Sequence, residues 1–156
     1  MRKLLAVFLL FLALPLFAAE TVIFAVRHAE KVADGSADPA LTPEGVARAA
    51  SLVRILRDAG VTVVYSTPTT RTRSTARPLG IPVTEDGSAP AALAARILRE
   101  NRGKNVLVVG HSNTVPALLT ALGIANAPSI GDNDFDNLFV VVVPEKGKAR
   151  LIRLHY

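Results

Sequence analysis

The chain has 156 residues, no cysteine, no tryptophan and a formal net charge of +5. That length suits one domain with a real core, and the 50% apolar content is too high for a disordered chain. The absence of cysteine excludes disulfide frameworks, zinc fingers, iron–sulfur centres and a cysteine nucleophile.

In chain order, Arg2 and Lys3 precede an apolar run from Leu4 to Phe17, followed by Ala18-Ala19-Glu20. A basic start, a short apolar stretch and small residues before a polar break form the layout of a secretory signal. The run holds 14 residues, is interrupted by Pro15, and falls short of the roughly 18 that span a bilayer. Residues 1–19 are therefore expected to be a signal peptide cleaved near Ala18 or Ala19, with an uncleaved anchor as the alternative. Residues 20–156 are expected to form a single domain of an exported protein. Once cleaved, it would have no stable membrane span. Loss of Arg2 and Lys3 leaves 16 basic against 13 acidic residues, a charge of +3. That field is weak, and the five remaining aromatics are not interleaved with basic clusters, so nucleic-acid binding is not expected.

Thr21–Val26 is a β-branched apolar run, read as a buried strand that stops at Arg27-His28. Residues 32–40 are small and polar, a loop. A helix then starts with Thr42 as cap and Pro43 in its first turn, and runs to about Ala59. Val46, Ala49, Val53 and Leu56 are its expected core face. Val61–Tyr65 reads as a second strand opening into Ser66-Thr67-Pro68, and Arg71–Leu79 as a helix. Ile81–Val83 reads as a short strand, followed by a polar loop over 84–88. A helix over 91–102, a strand over 105–109 and a helix over 113–122 come next. Two last strands, 138–143 and 149–154, flank a Pro-Glu-Lys-Gly turn. Strands alternating with helices predict an α/β three-layer sandwich: a mostly parallel central sheet, helices on both faces, and an antiparallel terminal hairpin.

In such sheets ligands bind at the carboxyl ends of the strands. Three strands end there in Arg27-His28, in the segment from Ser66 to Arg71, and in Gly110-His111-Ser112. Two arginines, two histidines and helix N-termini suit a tetrahedral oxyanion such as phosphate. Nearby positive charge keeps an imidazole neutral, and a neutral imidazole is a nucleophile. The parts therefore fit phosphoryl transfer to histidine without a metal or other cofactor.

These residues carry a family resemblance. Arg27-His28-Ala29, the helix start Leu41-Thr42-Pro43-Glu44-Gly45, Ser66 with Arg71-Thr72-Arg73-Ser74-Thr75-Ala76, and Gly110-His111-Ser112 follow one another in order. The chain resembles the histidine phosphatase superfamily, with its phosphoglycerate-mutase-like fold, in a compact form. The resemblance implies a phosphatase acting on phosphate monoesters or phosphoramidates, of a small molecule or a macromolecule. His28 would be the phosphorylated nucleophile, and Arg27, Arg71 and His111 would complete the phosphate pocket. Asn113 would border the substrate, and Thr42 would support the His28 loop. Glu85 and Asp86, or Glu30, are the candidate proton donors. Export argues for hydrolysis rather than for a cytosolic mutase. Two other readings compete. Gly110-His111-Ser112-Asn113-Thr114 resembles the elbow of a serine hydrolase, with Asp132 or Asp136 and His155 completing a triad. A non-catalytic phosphate-binding domain would keep the pocket without turnover. Substrate and oligomeric state stay open at this level.

Overall fold

The computed structural model describes residues 20–156. The expected signal peptide lies outside the described residues. Six strands form one sheet: β1 (Thr21–Arg27), β2 (Val61–Ser66), β3 (Val83–Glu85), β4 (Asn105–Gly110), β5 (Asn137–Val143) and β6 (Arg150–His155). Their spatial order is β3-β2-β4-β1-β5-β6. The first four in that order run parallel, and β5 and β6 close the sheet as an antiparallel hairpin. Four helices connect them: α1 (Pro43–Leu56), α2 (Thr70–Ala76), α3 (Pro90–Glu100) and α4 (Thr114–Ala121).

Near-continuous apolar sequence is what a strand covered on both faces requires, and β1 and β4 have it. Alternate side chains of β1 divide between two cores. Phe24 and Val26 pack with Leu52 and Leu56 of α1 and Ala76 of α2. Ile23 and Ala25 pack on the other face with Ile97 of α3 and Leu118 and Leu119 of α4. The three-layer α/β arrangement expected from the sequence is thus the one observed.

Local details differ. Helix α1 ends at Leu56, three residues before the expected Ala59. Its buried face is Gly45, Ala49, Leu52 and Leu56, rotated from the expected one; Val46 is 59% exposed and Val53 is only half-buried. The rotation has a cause at the helix start: Gly45 sits against the backbone carbonyl of Glu30, where a Cβ would collide. Helix α2 stops at Ala76 and passes into a single 3-10 turn, Arg77–Leu79. The short strand is Val83–Glu85 rather than 81–83, so Thr84 and Glu85 belong to the sheet instead of a loop. Pro82 cannot donate to a ladder, which pushes the paired segment two residues along the chain.

The register aligns the strand ends that matter. Arg27 of β1 pairs with Gly110 of β4, and Ser66 of β2 pairs with Val109. The His28 N–H donates to the Gly110 carbonyl at 2.9 Å, carrying the ladder one residue past β1. Residues 27–28, 66–67 and 110–111 therefore emerge side by side on adjacent strands at one edge of the sheet.

Candidate active site

His28 is 3% exposed, and its Nδ1 lies 2.7 Å from the Ala29 carbonyl. A carbonyl only accepts, so in the neutral ring Nδ1 carries the proton and Nε2 keeps its lone pair. Burial pushes the His28 imidazole down to about 4; the bond to Ala29 opposes this, while His111, Arg27 and Arg71 reinforce it. The ring is neutral at physiological pH. Desolvation, rather than the neighbouring arginines expected from the sequence, is the larger cause. The His111 ring lies 5.3 Å from it, centroid to centroid, in an edge-on arrangement. Burial, then Arg71 and Arg27, also lower the His111 imidazole. His111 Nε2 contacts Thr67 Oγ1 at 2.8 Å, and its backbone N–H donates to Thr114 Oγ1 at 2.8 Å.

Arg27 is buried and held from the far side of the sequence. Its Nη1 donates to the carbonyls of Gly131 and Asp132 at 2.9 and 2.8 Å, and the guanidinium lies 4.1 Å from the centre of the Phe135 ring. Burial lowers its pKa, opposed by Asp132, Asp134 and Glu30. Arg71 lies in the first turn of α2, with Nη1 3.6 Å from Asp38. The Nε atoms of both Arg27 and Arg71 are buried without a hydrogen-bond partner. Two guanidinium donors without partners beside two neutral imidazoles are a combination that suits an anion.

The loop after His28 is fixed by three ties. The buried Ala29 N–H donates to Thr75 Oγ1 at 3.0 Å, and that hydroxyl donates to the Arg71 carbonyl at 2.8 Å. Thr42 N–H donates to the Glu30 carbonyl at 2.9 Å, while its hydroxyl caps α1 by accepting from Gly45 N–H at 3.1 Å. Thr42 thus joins the His28 loop to the start of α1. Arg48 holds the Glu30 carboxylate through both Nε and Nη2, the latter at 2.6 Å.

The three carboxylates considered as proton donors are all otherwise engaged. Burial works to raise the Glu30 carboxyl, but Arg48 holds it below the ordinary range. Glu85 pairs with Arg73 at 3.1 Å. Asp86 accepts from Ser88 and lies 3.0 Å from Arg96, and both keep it ionised. A carboxylate held below its ordinary range, as in Glu30 and Asp86, is a poor acid at neutral pH. Asn113 stands exposed at the start of α4 and makes no side-chain cap there.

The elbow reading is not assembled. His155 lies on β6, three strands from β4, so about 14 Å of sheet separates it from Ser112. It pairs instead with Asp136 at 3.1 Å on the exposed edge. Among the described residues, no group of three or more His, Asp or Glu side chains is placed to hold a metal ion, and no helix is long and apolar enough to cross a membrane.

Four contributors escaped the sequence reading. Thr75 was legible as part of its block but not as the partner of Ala29. Thr67, Asp38 and Phe135 reach the site through contacts between distant segments and carry no local signal.

Residues 23–88 match the family model described as the histidine phosphatase superfamily, branch 1. No match was found among curated proteins. Among solved structures, the chain is similar to a candidate phosphohistidine phosphatase SixA from Nakamurella multipartitia, with 24% identity, 88% of this chain and 97% of that one covered, and a TM-score of 0.67. It is also similar to the protein histidine phosphatase SixA complexed with tungstate (21% identity, 86% and 96% covered, TM-score 0.68). A mycobacterial glucosyl-3-phosphoglycerate phosphatase gives 15% identity, 85% and 97% covered, and a TM-score of 0.68. At these identities the likeness to the solved structures is one of fold. The match to the histidine phosphatase superfamily model spans the His28 loop, α1 and α2, and the fold shared with these structures extends over the rest of the described residues.

Proposed function

We propose that this histidine-type phosphatase hydrolyses phosphate monoesters or phosphoramidates through a phosphohistidine formed on His28, without a metal ion. The observation that carries the reading is the buried neutral His28, its Nδ1 proton spent on Ala29, set among two arginines with unpartnered Nε atoms. In the first step His28 Nε2 attacks phosphorus, the bond from phosphorus to the leaving oxygen or nitrogen breaks, and the leaving group departs with the electron pair. Arg27, Arg71 and His111 balance the charge on the phosphoryl oxygens. Water then attacks phosphorus, the P–N bond to His28 breaks, and inorganic phosphate leaves. Positioning and fixed charge do most of the work.

The engaged state of Glu30, Glu85 and Asp86 bears on the substrate. Leaving groups that need little protonation fit this site best: a phenolate, or an imidazole whose other nitrogen already holds a proton. The tungstate complex of one structural relative supports an oxyanion as the bound group. Export belongs to the same proposal and rests on the layout of residues 1–19. An exported enzyme would hydrolyse rather than shuttle phosphate within a cytosolic sugar acid.

The test is turnover of an aryl phosphate with chelator present, for the parent chain and for His28→Ala. Activity in the parent alone, with 32P trapped on histidine after acid-free quenching, is the expected result. Activity that survives in His28→Ala, or that chelator abolishes, overturns the mechanism. Phosphoryl transfer between glycerate positions faster than phosphate release would overturn the assignment as a hydrolase. N-terminal sequencing of protein recovered outside the cytoplasm checks cleavage near Ala18 or Ala19.

A further inference from the structure

His111 Nε2 contacts one side chain, Thr67, and the hydroxyls behind it leave little freedom over where the protons lie. Thr72 is fully buried. Its hydroxyl is 2.7 Å from the Thr67 carbonyl and 3.0 Å from the Thr69 carbonyl. Both carbonyls only accept, so the single Thr72 proton points at them. The Thr72 oxygen then accepts from the two other hydroxyls within reach, Thr69 Oγ1 at 2.8 Å and Thr67 Oγ1 at 3.1 Å. With its proton given to Thr72, Thr67 Oγ1 faces His111 Nε2 at 2.8 Å with lone pairs only. In that arrangement Nε2 is the donor.

We propose that Thr67, ordered by Thr72, is a positioning residue that fixes His111 as the Nε2–H tautomer, so that Nδ1 is the atom that exchanges a proton with bound phosphate. The two histidines of the site are then opposite tautomers. His28 keeps its proton on Nδ1 by donating to Ala29, and its Nε2 is free to attack. His111 keeps its proton on Nε2, and Nδ1 is free. Among the described residues no protein group bonds that Nδ1. A phosphate monoanion arriving in the site can hand its proton to Nδ1, leaving a dianion paired with an imidazolium that donates from Nδ1. The charges facing His111 favour that transfer only when phosphate is present. Arg27 and Arg71 disfavour the imidazolium in the empty site, and the negative charge of the ligand reverses the balance. The wire is local: it runs from the start of α2, which also bears Arg71, to the end of β4. A shift of Arg71 on ligand binding is thereby coupled to the ring of His111.

The placement of His111 beside phosphate rests on the proposed function; its tautomer does not, and the experiment separates the two. The full chain is labelled with 15N-histidine, and His28 and His111 are assigned with His28→Gln and His155→Gln variants. At neutral pH His111 is expected to show a protonated Nε2 and an unprotonated Nδ1, and His28 the reverse. Thr67→Val removes the acceptor at constant shape and is expected to move His111 to a mixture of tautomers, while Thr67→Ser restores the parent pattern. Inorganic phosphate is expected to protonate Nδ1 of His111 in the parent. A protonated Nδ1 with a bare Nε2 in the parent chain, read without any variant, overturns the proposal. So does a parent-like pattern in folded Thr67→Val. A parent tautomer that is as proposed but insensitive to phosphate, in a chain without phosphatase activity, overturns the phosphatase reading and the proton exchange while leaving the role of Thr67 in setting the tautomer standing.

Discussion

Acidification should unfold this protein through His28, the proposed nucleophile. Free imidazole titrates near 6.5, whereas burial holds His28 at about 4 in the folded chain. A folded-state value below the unfolded one means that the unfolded chain binds the proton first. Stability is therefore intact above pH 6.5 and is lost as pH falls toward 4. At about 1.4 kcal/mol per tenfold change in binding, the full gap is worth roughly 3.4 kcal/mol, and the part between pH 7 and 5 about 2 kcal/mol. That is a large fraction of the stability of a domain this size. His111 adds to the loss with the same sign, because its imidazole is also lowered. The measurement is urea unfolding at pH 5, 6 and 7, followed by far-ultraviolet circular dichroism because the chain has no tryptophan. The parent should show a falling midpoint at constant slope. His28→Gln should lose about 2 kcal/mol less than the parent over the same interval. Equal losses in the two proteins would show that His28 is solvated and titrates normally, and the argument for a desolvated nucleophile would fall with it.

Three further changes test the frame around the site. Gly45→Ala drives a methyl group into the Glu30 carbonyl; it should cost about 1–3 kcal/mol in urea unfolding and lower kcat with little change in the helix signal. Thr75→Val leaves the buried Ala29 N–H without its acceptor and should cost about 1–3 kcal/mol, with Thr75→Ser recovering most of it. Arg27→Lys keeps the charge but cannot both grip the carbonyls of Gly131 and Asp132 and present a second donor edge. Its kcat/KM on an aryl phosphate should fall by about 100-fold or more, and a fall under about tenfold would show that charge alone suffices.

Arg27 also shows where sequence reasoning reaches and where it stops. Its position was legible because a buried strand must end somewhere, and the apolar run Thr21–Val26 stops at Arg27-His28. The same logic located β4 and the edge where His111 emerges. The face of α1 was misjudged because Val46 and Val53 satisfy a helical period as well as Gly45 and Leu52 do. Hydropathy cannot register that the smallest residue is needed where the helix meets the Glu30 carbonyl. The acid candidates are hard to rank from sequence for a related reason. Glu30, Glu85 and Asp86 look alike as carboxylates in a sequence, and what separates an acid from an ion pair is a partner 18, 12 or 10 residues away. Arg27 is the extreme case, since the carbonyls of residues 131 and 132 that hold it are 104 and 105 residues distant. Those carbonyls occupy Nη1 and leave Nε buried and unpaired. One edge of the guanidinium is therefore spent on the fold, and the other is the edge the proposed function assigns to an anion. A surface arginine would pay rotamer entropy to form the same fork at the moment of binding. Here folding has already met that cost. The segment 131–135, which the sequence does not connect to Arg27, is as much a part of the proposed phosphate site as the two histidines.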